Sequence, residues 1–164
     1  MSEPMLKVLK LYPDAKLPIR ANPTDSGLDV FIHHFERGYT RMGDERLPID
    51  LPYYNLCQGD RVFISIGISL AVKPKYEVQV RPRSGLALKK GLTIVNSPGT
   101  IDCSYRGPVG VIVLNTGFEP VLLNRGDKIA QLVVCPVSLS DVVEVNDLDE
   151  TPRGTGGFGS TGSA

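Results

Sequence analysis

The chain is cut into short apolar runs by glycines and prolines, and no segment holds helical periodicity over several turns. The runs are Leu28–Ile32, Arg61–Ser65, Ile68–Val72, Tyr76–Val80, Leu92–Val95, Val109–Asn115, Ile129–Val134 and Val142–Val145. They are rich in Val, Ile and Leu. Several alternate, as where Val78 and Val80 flank Gln79, which is the pattern of a strand with one buried face. Turn signals separate them at Gln58-Gly59-Asp60, Lys73-Pro74, Ser97-Pro98-Gly99 and Arg125-Gly126-Asp127. The best helical candidate is Ser84–Lys90, opened by a serine and closed by Gly91. Many short strands with frequent turns predict an all-β sandwich, jelly roll or barrel.

A chain of 164 residues is long enough for one domain with a substantial core. That domain is expected over residues 1–150, interrupted by a polar, irregular excursion at His33–Pro52. Residues 151–164 form a glycine-rich arm that carries too little apolar area to pack a core, and it is expected to be mobile without a ligand or neighbour. Lys and Arg total 18 against 18 for Asp and Glu, giving a net charge of +0. That balance argues against a partner held by a broad basic surface, so nucleic acid is not expected. Cys57, Cys103 and Cys135 cannot all pair within the chain and show no Cys-x-x-Cys spacing, which fits a reducing compartment and no structural zinc. No signal pattern or long apolar run is present, so a cytoplasmic protein without a membrane partner is expected.

Three segments carry chemistry. The tail Gly154-Thr155-Gly156-Gly157-Phe158-Gly159 formally matches G-x-G-x-x-G, but a dinucleotide fold needs an acidic residue about 20 positions later, and the sequence given stops before that. A P-loop fails too, because Ser160-Thr161 stands where Lys-Ser/Thr is required. Two readings stay open for the tail. It is a disordered Gly/Ser segment, or it is a nucleotide clamp in which glycine amides, hydroxyls and Arg153 meet phosphate and Phe158 stacks on a base. Arg81-Pro82-Arg83-Ser84-Gly85-Leu86 precedes the short helix and reads as an anion site or as a capped helix with solvated arginines. Asn96 to Gly107 places a turn, Asp102, Tyr105 and Arg106 close together. Asp102 suits a general base, and it equally suits an ordinary turn aspartate. Cys103 has no histidine near it in sequence and reads as a small packing residue.

Taken in order, these segments resemble the five motifs of the homotrimeric dUTPase family. The motifs are Asp25-Ser26-Gly27-Leu28-Asp29-Val30, then Pro82-Arg83-Ser84-Gly85-Leu86-Ala87, then Gly91 through Asn96 and Asp102 to Gly107, then Arg125-Gly126-Asp127-Lys128-Ile129-Ala130-Gln131, and last Arg153–Gly162. The resemblance spans nearly the whole chain. It implies hydrolysis of dUTP to dUMP and pyrophosphate on a jelly-roll-like β-barrel with one short helix, assembled as a trimer that exchanges its C-terminal strand and tail. It implies that Asp102 activates water and that Asn96 reads uracil in a hairpin including Gly99 and Ile101, too tight for the thymine methyl. Tyr105 would lie against deoxyribose. Arg83, Ser84, Gly85 and Gln131 would hold the phosphate chain. Arg153, Gly159, Ser160 and Thr161 would close over the terminal phosphate with Phe158 on the base, and Asp29 would support the hairpin from behind. The implied cofactor is Mg2+ held by the substrate phosphates and waters, with no direct protein ligand.

Some positions depart from the family pattern. Thr24-Asp25-Ser26-Gly27 replaces a small-residue run, Leu28 stands where Tyr is frequent, and Ser104 stands where a second acidic residue is frequent. His33–Pro52 is longer than usual. Its His33-His34 pair with Asp44 or Glu45 suggests a metal site, against which adjacent histidines are expected to diverge. The sequence speaks against two rival functions. A dCTP deaminase of the same fold needs a carboxylate on the strand after Asp102, and Val109–Leu114 carries none. A nucleotide-binding regulatory module would not need Asp102, Ser84, Gln131 and the tail together.

Overall fold

The computed structural model describes residues 5–46 and 51–157. Thirteen strands and one helix follow in order: β1 Leu6–Lys10, β2 Leu28–Phe31, β3 His34–Tyr39, β4 Glu45–Arg46, β5 Tyr53–Leu56, β6 Arg61–Ser65, β7 Ile68–Val72, β8 Tyr76–Pro82, α1 Ser84–Lys90, β9 Leu92–Ile94, β10 Gly99–Ile101, β11 Gly110–Asn115, β12 Val121–Asn124 and β13 Lys128–Pro136. One sheet has the order β10-β8-β13-β2 and a second the order β4-β3-β6-β11-β9, with the pairs β1-β7 and β12-β5 closing the flanks. All described pairings are antiparallel. The architecture is mostly β, as the pattern of runs and turns predicts, and it is the jelly-roll-like fold that the family resemblance implies.

The core lies between the inner faces. Alternation sets it up: Val62 and Ile64 on β6, Val111 and Val113 on β11, Val78 on β8 and Leu132 on β13 are all buried, together with Leu56. Burying a side chain of this size is worth about 1.5–3 kcal/mol, so a stack of them outweighs anything the surface supplies. Helix α1 spans Ser84–Lys90 as its pattern predicts and ends at Gly91, which adopts the left-handed conformation (φ 65°) and returns its amide to the Ala87 and Leu86 carbonyls. Its N-cap is Arg83, not a capping hydroxyl, and no side chain caps it.

Two expectations change. The excursion His33–Pro52 is not an irregular loop in its first half. β3 and β4 form a hairpin that extends the second sheet by pairing with β6. A bulge at Glu36 puts Phe35 and Gly38 on the inner side, breaking the two-residue rhythm that marks a strand. Residues 47–50 lie outside the described set. The run Val142–Val145 is not a strand: no partner strand lies beside it among the described residues, and Val142 is 99% exposed.

Candidate active site

Two clusters of site residues form at different places. The first is the hairpin from Asn96 to Gly107. β10 pairs with β8 through Gly99↔Val80 and Ile101↔Val78, which anchors one limb to the first sheet. The hairpin walls a cavity of about 270 Å³ whose lining includes Asn96, Gly99, Ile101, Asp102 and Tyr105. Gly99 is needed where it stands, because a Cβ there would press on Val80 and on the Asn96 amide, each 3.3 Å away. The Asp102 backbone carbonyl accepts from the Tyr105 amide (3.1 Å) and so closes the tip. Its carboxylate is on an exposed residue and has no hydrogen-bond partner among the described residues. A carboxylate left available at a cavity rim is able to accept a proton from a water held there.

The second cluster gathers residues from β2, β8 and β13. Asp29 takes both of its neighbours' charges: Arg83 Nε lies 2.9 Å from Oδ1 and Lys128 Nζ 2.8 Å from Oδ2. Gln131 is directly across from Asp29 on β2 and from Arg81 on β8. Its amide donates to the Pro82 carbonyl (2.9 Å). Gly27 makes room for it, since a Cβ at that position would overlap the Gln131 side-chain oxygen. Ser84 and Gly85 begin α1, where the first amides of a helix have no internal acceptor. A Cβ at Gly85 would meet nothing within 4 Å, so this helix start faces open space. Two cations held by one carboxylate beside open amides can neutralise a polyanion. Lys128 belongs to this cluster although its role was not legible in the sequence. Asp29 engages this cluster, and its described ionic contacts are with Arg83 and Lys128, not with the hairpin.

The clusters do not meet within one chain. Asp102 follows Ile101 towards the Tyr76 end of β8, whereas Arg83 and Ser84 follow the Pro82 end. The length of β8 between them is about 16 Å at roughly 3.3 Å per residue. Among the described tail residues, Arg153 bonds within its own turn, with Nε donating to the Gly156 carbonyl. Phe158, Gly159, Ser160 and Thr161 lie outside the described residues.

The paired histidines behave differently from expectation. Their rings converge, with Nδ1 of His33 and Nδ1 of His34 2.7 Å apart. His33 stacks on Tyr12 and its Nε2 meets Asp14 at 3.1 Å. Its hydrogen bond holds the Asp14 carboxyl below the usual carboxylate range. Asp44 bonds Thr40 and Glu45 bonds Tyr39, so neither joins the histidines. No group of three or more His, Cys, Asp or Glu among the described residues is arranged to hold a metal ion. No helix among them is long and apolar enough to cross a membrane.

Comparison with known proteins adds the following. The dUTPase family model matches residues 14–162. The chain is similar to the deoxyuridine 5'-triphosphate nucleotidohydrolase of Hydrogenobaculum sp., with 44% identity over 96% of this chain and 97% of that one. It is 40% identical to the enzyme of that name from Wolinella succinogenes, over 97% of this chain and 95% of the relative. In three dimensions it resembles a variant dUTPase of Staphylococcus bacteriophage 80alpha with dUpNHpp, with a TM-score of 0.76 at 23% identity, over 96% of this chain and 98% of that one. It also resembles a variant dUTPase of phage phi11 of S. aureus, whose structure concerns the coordination of a structural Mg(II) ion. There the TM-score is 0.71 at 22% identity, over 88% of this chain and 99% of that one.

Proposed function

The chain belongs to the dUTPase family, and on that premise we propose that it hydrolyses dUTP to dUMP and pyrophosphate with Asp102 as the base. The observation that carries this reading is the Asp102 carboxylate, without a hydrogen-bond partner among the described residues, at the rim of the cavity lined by Asn96, Gly99, Ile101 and Tyr105. Asp102 takes a proton from water, the water oxygen bonds to the α-phosphorus, and the bond to the bridging oxygen of the β-phosphate breaks. Pyrophosphate carries away the electron pair. Asn96 reads the uracil edge, the backbone at Gly99 and Ile101 sets the width of the base site, and Tyr105 packs on deoxyribose.

Phosphoryl chemistry of this kind needs charge neutralisation and positioning more than covalent help. Arg83, Ser84, Gly85 and Gln131 receive the phosphate chain, with Lys128 adding positive charge and Asp29 fixing both cations in place. Arg153, Gly159, Ser160 and Thr161 close on the terminal phosphate, and Phe158 on the base. The dUTPase relatives support a metal cofactor, and Mg2+ is the ion proposed. Held by substrate phosphates, it would supply further neutralisation of the phosphate oxygens. The residues present fit that arrangement, since the phosphate cluster offers cations and open amides. The separation of the two clusters along β8 supports a homotrimer, in which the Asp102 hairpin of one copy completes the phosphate cluster of another.

Pyrophosphate release from dUTP, dCTP, dTTP and UTP, each with Mg2+ and again after chelation, tests the reading. Release should be confined to dUTP and fall on chelation. Rejection of dTTP should exceed the roughly 10–200-fold that a soft apolar pocket achieves for one carbon, because the barrier is backbone. Comparable release from dCTP, or none from dUTP, would overturn it.

A further inference from the structure

The Asp102 hairpin is exposed at its tip, yet its descending limb is fastened at several points by groups outside the proposed substrate-contact set. Ser69, on β7, is 5% exposed, and its hydroxyl donates to the Gly107 carbonyl at 2.9 Å. The backbone beside it is also tied: the Val109 amide donates to the Ile68 carbonyl (2.8 Å) and the Val109 carbonyl accepts from Ile66 (3.2 Å). Arg106 folds back over the tip, and its Nη1 donates to the carbonyls of Cys103 (2.7 Å) and Tyr105 (2.8 Å). The Tyr105 hydroxyl donates to the Pro108 carbonyl (3.0 Å). This carries the ring over Gly107, where a Cβ would stand 2.4 Å from the phenol oxygen. The Tyr105 ring is therefore not free to swing, although the residue is 45% exposed. Its position is read from Gly107, and Gly107 is held by Ser69.

We propose that Ser69 and Arg106 are positioning residues that set sugar discrimination by fixing the Tyr105 ring and the Asp102 turn on the hairpin. This rests on the reading of Tyr105 as the residue packed on deoxyribose. A buried hydroxyl bonded to a hairpin carbonyl resists the small displacement that would admit a 2'-hydroxyl, and misplacements near 1 Å can cost about 10²-fold in rate. Ser69 acts on the sugar wall. Arg106, bonded on both sides of Ser104, acts on the wall and on the base carboxylate together.

The test is a set of kcat and KM values for dUTP and UTP with wild type, Ser69→Ala, Ser69→Thr, Arg106→Met and Arg106→Lys, alongside melting temperatures. The expected result is that Ser69→Ala lowers the dUTP:UTP ratio of kcat/KM by about 10-fold or more, and Ser69→Thr, which keeps the donor, restores most of it. Arg106→Met should lower kcat for dUTP as well as the ratio, with Lys giving partial rescue. A purely structural role would lower the melting temperature and scale both substrates alike, and an unmoved ratio in both Ser69→Ala and Arg106→Met overturns the proposal. If either variant fails to fold, the other decides, since one bond lies at the base of the hairpin and the other at its tip. A wild type that does not separate dUTP from UTP would instead refute the reading of Tyr105 on which the proposal stands.

Discussion

Asp102 does two things with different atoms. Its carbonyl closes the hairpin tip on the Tyr105 amide, and its carboxylate stands clear for chemistry. Asp102→Asn keeps the first and removes the second. Turnover of dUTP should fall by about 10²–10⁴-fold, the usual cost of losing a general base. The melting temperature and the affinity for a non-hydrolysable analogue should stay close to wild type, because the exposed side chain makes no bond among the described residues. Turnover within a few-fold of wild type would remove Asp102 from the role of base. The hairpin members Asn96, Asp102 and Tyr105 are legible in the sequence because they fall within one short segment. Lys128 is not, because its link to Asp29 crosses two strands. Lys128 pairs with Phe31, so Asp29 is its diagonal neighbour, and only the register reveals that they share a face.

Asn115 closes β11 and ties it to β5 and to the turn that precedes β12. It is fully buried, and its Nδ2 donates to the carbonyls of Leu56 on β5 and of Glu119, both at 2.9 Å. Its Oδ1 accepts from the Gly117 amide, also at 2.9 Å. Asn115→Ala leaves the buried Leu56 carbonyl without its donor and loosens the turn at Gly117 and Glu119, and it should cost roughly 1–3 kcal/mol in a urea titration, the usual penalty for a buried group left unpaired. A loss below about 1 kcal/mol would show that the turn finds other partners. Elements with regular alternation or strong punctuation were legible: β6 and β7 fall at the runs Arg61–Ser65 and Ile68–Val72, and Gly91 stops α1 where its pattern says. β3 was not, because the bulge at Glu36 and a charged outer face disguise a strand as a loop. The strand β1 (Leu6–Lys10) and the short β12 (Val121–Asn124) are not legible either, for want of a long apolar run. Val142–Val145 has the composition of a strand and no partner among the described residues to make it one.

The whole molecule divides the candidate site residues between the two ends of β8, with β2 and the first half of β13 lying at the Pro82 end. One copy therefore presents the Asp102 hairpin without the Arg83–Lys128 cluster on one side and that cluster without the hairpin on the other. The exposed Val142, Val143 and Val145 also leave an apolar segment uncovered by the described residues of the single chain. Both features point to association, and closed threefold symmetry would satisfy every copy alike. Light scattering should then report a trimer, and activity should be shared between copies. The decisive measurement mixes two inactive variants, Asp102→Asn and Arg83→Met, each checked for folding by melting temperature. After subunit exchange, a site that takes its hairpin from one copy and its cradle from another should recover up to about a quarter of wild-type dUTP hydrolysis, the fraction of sites that draw both intact halves in a random mixture. A mixture as inactive as its parts, from variants shown to exchange subunits, would place the whole site within one chain and contradict the account.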